Sequence, residues 1–157
     1  MGLSKCFIAA RSVGGLVSDL KETATQGEWS IFEPTSGWVR PRELEELCIR
    51  AASNVEDIAL AVLIEDSDIA YLAAGTPEGI VARLLYGTSP DDYADGVEAL
   101  ELIGYDHTGN YAQFEVWSQL TGSPVTQNQL ASILSEDWVL AEDAVAALLE
   151  RLHIPFP

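Results

Sequence analysis

Positive charge is what this chain has least of. Beyond residue 50, only Arg83 and Arg151 stand against eighteen Asp and Glu, while residues 1–50 hold six Lys and Arg against seven acids; the net charge of −17 therefore divides into −16 and −1. Proteins grip nucleic acid and anionic membrane by neutralising phosphates with Lys and Arg, so neither is an expected partner. Long apolar runs are missing too, and nothing approaches the roughly 20 residues of a spanning helix. The opening MGLSKCFIAARSVGG has only a short apolar stretch before Arg11, so no export signal is expected. Cysteine is limited to Cys6 and Cys48, both in apolar surroundings and without CxxC spacing, which points to reduced buried thiols and a cytoplasmic setting.

Recognisable catalytic patterns are equally sparse. His107 and His153 have no Ser or Cys beside them in a nucleophile setting, so a hydrolase triad is not expected and no residue is assigned a catalytic role. SVGGL at 12–16 lies between apolar segments but lacks GxGxxG and GxxxxGK[ST], which leaves it as a tight turn and gives no reason to expect a cofactor. Glu65, Asp66 and Asp68 offer three hard oxygen ligands in four residues, the chemistry of a Mg²⁺ or Ca²⁺ site. They also fall between two apolar runs, where Asp and Ser are favoured for capping their own turn, and that simpler reading assigns no metal.

What is present is a folded composition. With 48% hydrophobic residues, the chain has enough apolar surface to offset the entropy of ordering. A chain of 157 residues fits one domain, and no repeat or linker divides it. Strands are expected at 5–10 and 28–34, with a helix over 12–24 between them from the spacing of Val13, Leu16, Val17 and Leu20. Pro41 opens a second helix. Three apolar runs, 57–65, 69–74 and 79–87, read as an antiparallel meander, the first covered on both faces. Helices follow over 91–104, from Thr126 with its capping-box partner Gln129, and from about Ala141 to Leu152; 110–120 fits helix or strand, and its interspersed Ala, Gln, Glu and Leu favour helix. The expected fold is α+β: a mostly antiparallel sheet of about five strands, βαβα then a meander, with a helical C-terminal part packed on it.

The segment SPDDYADGVEALELIGYD carries Asp91, Asp92, Asp95, Glu98, Glu101 and Asp106 without one Lys or Arg. On an amphipathic helix these acids take the solvated face, because Tyr93, Val97, Leu100 and Ile103 occupy the other. Catalytic carboxylates need burial or close pairing, and a solvated stripe supplies neither. The acids therefore read as an interaction surface, which Glu136 and Asp137 extend if the C-terminal helices pack alongside. Trp38, in a Gly- and Pro-bounded loop, is a candidate aromatic anchor. The expectation is a non-enzymatic acidic protein, monomer or homodimer, that neutralises a basic protein such as a cationic nuclease-like toxin, or mimics DNA toward a DNA-binding protein. The alternatives are a small metal-dependent enzyme using Glu65 to Asp68 and an adaptor that self-associates through the open edge of the meander.

Overall fold

The computed structural model describes residues 4–11, 17–87 and 110–157. At its centre lies the most apolar run of the chain. Strand β4 (Ala59–Glu65) sits between β1 (Lys5–Arg11) and β5 (Ile69–Thr76), and Ala59 through Ile64 are at most 1% exposed. Leu60, Val62 and Ile64 enter one apolar cluster, while Ala59, Ala61 and Leu63 enter another on the opposite face. A strand covered twice needs no polar alternation, which is why the run reads as continuous.

With β2 (Leu20–Gln26), β3 (Trp29–Pro34) and β6 (Gly79–Tyr86), the sheet has six strands in the order β2-β3-β1-β4-β5-β6, and every neighbouring pair is antiparallel. Helix α1 (Pro41–Val55) covers one face, with Pro41 in its first turn. It lies close because the sheet there presents small side chains, among them Ala10, Ala59, Ala61 and Ala73. A Cβ added at Gly75 would meet Cys48 Sγ at 2.9 Å. Arg83 on β6 reaches across to Glu45 of α1, with Nη2 to Oε1 at 2.8 Å.

The other face is covered by α2 (Tyr111–Gln119), α3 (Gln127–Ser135) and α4 (Ala141–Leu152). Trp117 of α2 is 1% exposed and donates its indole N–H to the Gly75 carbonyl at 3.0 Å. Thr126 caps α3 reciprocally: its hydroxyl accepts from Gln129 N, and Gln129 Oε1 accepts from Thr126 N. The architecture is thus α+β, an antiparallel sheet with helices from the C-terminal part packed on it.

One element differs from the sequence reading. The helix expected over 12–24 is replaced from Leu20 onward by β2, so the observed order is three strands and then α1, with six strands in all. Asp19, at φ 69°, ends a turn in which Leu20 N donates to Val17 O, and the chain then pairs with β3. Only Leu20 of this strand is buried. An exposed edge strand has no buried face to impose a period of two, so the spacing of four apolar residues resembled a helix although backbone pairing with β3 decides the outcome. Residues 12–16 of that segment, and the helix expected over 91–104, lie outside the described residues.

Candidate protein-interaction site

The β4–β5 connection begins the site. Asp66 and Ser67 adopt positive φ (53° and 61°), and Asp68 N donates to Glu65 O at 3.1 Å. Asp enters left-handed backbone more readily than most residues, and Ser is common in turns. Glu65, Asp66 and Asp68 lie in this hairpin, and no group of three or more metal-ligating side chains converges among the described residues.

The hairpin holds the start of α4. Ser67 is 5% exposed; its carbonyl accepts from Ala141 N at 2.7 Å, and its hydroxyl donates to Glu142 Oε1 at 2.9 Å. Among the described residues, the second carboxylate oxygen of Glu142 is buried without a hydrogen-bond partner. An uncompensated buried oxygen of this kind costs about 1–3 kcal/mol or more when charged.

The connection from α3 to α4 is pinned from beneath. Tyr86, at the end of β6, accepts from Trp138 N at 2.9 Å, and its hydroxyl lies 3.2 Å from the Glu136 carbonyl. Burial acts most on this phenol and pushes its pKa above the ordinary value, with help from the charges of Asp137 and Glu136 and against the Trp138 hydrogen bond. The Trp138 indole donates to the Ile133 carbonyl at 2.7 Å, and the half-buried ring packs against the core. Fixing Trp138 leaves the next two residues outside: Val139 is 91% exposed and Leu140 40%.

Charge frames this apolar pair. Glu136, Asp137 and Asp143 are exposed on the same connection and helix start, and Asp66 and Asp68 are exposed on the neighbouring hairpin. Between hairpin and connection lies an open depression of about 370 Å³, with Asp68 and Asp137 at its lining and Tyr86 and Trp138 as walls.

Of the residues singled out in the sequence, Glu136 and Asp137 belong to this site. Trp38 is 43% exposed but precedes α1, on the opposite face of the sheet, so the structure does not bring it to them. Asp91, Asp92, Asp95, Glu98, Glu101 and Asp106 lie outside the described residues. Val139, Leu140 and Tyr86 were not singled out. The signal available for the first two is an apolar WVL directly after Glu136 and Asp137 and before a helix start, a place where burial is hard to arrange.

Sequence distance also concealed a contact at the far end of α4. Ser123 Oγ lies 2.6 Å from His153 Nδ1, thirty residues away. His153 is the exposed, left-handed cap of α4, and no carboxylate bonds its other ring nitrogen among the described residues. The pair ties a loop to a helix end and lacks the oriented base of a hydrolytic triad. Comparison of the chain with protein-family models, curated proteins and solved structures finds no match.

Proposed function

We propose that the protein binds a basic protein partner through this acidic end and neutralises it, as an immunity protein or antitoxin neutralises a cationic nuclease-like toxin, without catalysing a reaction itself. The observation that carries the reading is Val139, 91% exposed beside Leu140 within a frame of Glu136, Asp137 and Asp143. Buried apolar contacts supply most of the affinity at protein interfaces, while surrounding charges supply rate and selectivity. A fixed apolar tip with a carboxylate rim matches a partner that has an apolar hollow ringed by Lys and Arg. The overall charge of −17 favours encounter with such a surface. Both cysteines are free and buried, which agrees with a reducing compartment.

Self-association through the meander edge has less support. The edge amide of Arg83 on β6 already donates to Asn110 Oδ1 at 3.1 Å, a bond that an added strand would have to displace. Catalysis by Glu65, Asp66 and Asp68 has less support because those residues lie in a hairpin and no metal-ligating group of three converges among the described residues.

The test is co-expression with the product of the adjacent gene, followed by binding of the purified pair. Protection of cells and a complex that Val139→Asp weakens at least tenfold, with an unchanged melting temperature, are expected. If the neighbouring product is neither basic nor bound, the proposal fails.

A further inference from the structure

Three depressions of the described surface contain an arginine among their own lining residues: Arg50 in two and Arg151 in the third. Another, between the β4–β5 hairpin and the α3–α4 connection, is lined by Asp68 and Asp137 and, among the described residues, by no base. We infer that this depression seats one arginine side chain of the partner. The inference rests on the protein-binding reading for what carries the arginine, and on the depression itself for the recognition.

Its walls supply the two contacts a guanidinium seeks. The planar cation stacks on aromatic faces, and the half-buried Trp138 lines the space, with the buried Tyr86 contributing its edge of the lining. Its N–H fork pairs with carboxylates, and Asp68 and Asp137 approach from different elements, one from the hairpin and one from the connection. Neither aromatic is free to swing away, because Tyr86 O–H and the Trp138 indole are each held by main-chain groups. Gly87 forms part of the wall at φ +97°, and a Cβ there would come within 2.2 Å of the Asp68 carbonyl oxygen, so hairpin and strand end meet closely behind the space. Lysine offers neither the plane nor the fork, which makes arginine the better fit.

The experiment is a ¹⁵N–¹H NMR titration at low ionic strength with N-acetyl-arginine amide, and with the citrulline, lysine and free arginine counterparts as separate arms. Saturable shifts of the Trp138 indole and of the Asp68, Gly87 and Asp137 amides are expected. Citrulline, equal in shape but uncharged, should bind at least tenfold more weakly, and lysine amide several-fold more weakly. The paired substitution Asp68→Asn and Asp137→Asn alters exposed side chains only, and it should reduce arginine-amide affinity at least tenfold while the spectrum remains that of the folded protein. Shifts spread over all exposed acids, equal binding of citrulline or lysine, or free arginine bound tenfold more tightly than its blocked amide would each overturn the assignment. Arginine binding here without any basic protein partner would overturn the function proposed above and leave the seat standing; a bound partner that is indifferent to the paired substitution would do the reverse.

Discussion

Arg11 and Asp57 show how a single contact ties stability to pH. Arg11 Nε and Nη2 bond the two Asp57 oxygens at 3.0 and 2.9 Å, and Nη1 reaches the Leu120 carbonyl. Burial acts most on the Asp57 carboxyl and raises its pKa, but the Arg11 hydrogen bonds and charge and the Ile58 N–H together hold it below the ordinary value. A depressed folded value means that the folded state binds the proton less readily than the unfolded chain. The stabilisation is then complete above the unfolded value of about 3.9 and is lost as pH falls through the lower folded one. Thermal melts should show Asp57→Asn less stable than the parent above about pH 4, with the gap closing at lower pH. A gap that stays constant into acid would contradict this account. The cysteines give a second residue-level expectation. Burial, then the charge of Glu45, pushes the Cys48 thiol far up, and burial also raises Cys6. Thiolate is the reactive form, so both should resist a disulfide reagent under native conditions and react at the unfolding rate or in denaturant.

Among the elements, α3 has the cleanest local signal, and Thr126→Ala should lower stability by about 1 kcal/mol in denaturant titration. Capping chemistry is written within four residues and so was readable, as were Pro41 at the start of α1 and the meander, whose turns fall between apolar runs. Helix α2 was readable on weaker grounds, from the helix formers between its aromatics. The edge strand β2 was not readable, because its pairing with β3 is a backbone property and its side chains after Leu20 are exposed. Its Glu22/Ala24 bulge and charged side chains also guard that edge against further pairing. The candidate site was half legible. Glu136 and Asp137 follow from charge, whereas the exposure of Val139 depends on Tyr86 fixing the backbone of Trp138, 52 residues later.

For the whole molecule, the excess charge predicts how binding should respond to salt. Association with a basic partner should slow several-fold between about 50 and 300 mM salt as screening shortens the reach of exposed charges, while dissociation changes less. Stopped-flow mixing would read both rates, and equal sensitivity of the two would argue against electrostatic steering. One feature of the sheet bears on how this molecule comes into being. Strand β1 stands between β3 and β4, so residues 5–11 join the hairpin of β2 and β3 to the meander of β4, β5 and β6. On the ribosome that joining piece is made before both of its neighbours, and its β4 edge finds no mate until residues 59–64 have been made, on the order of seconds later. During that interval a nearly all-apolar ribbon waits half-paired, so the nascent chain is most exposed to wrong associations at the very segment that later makes the sheet whole.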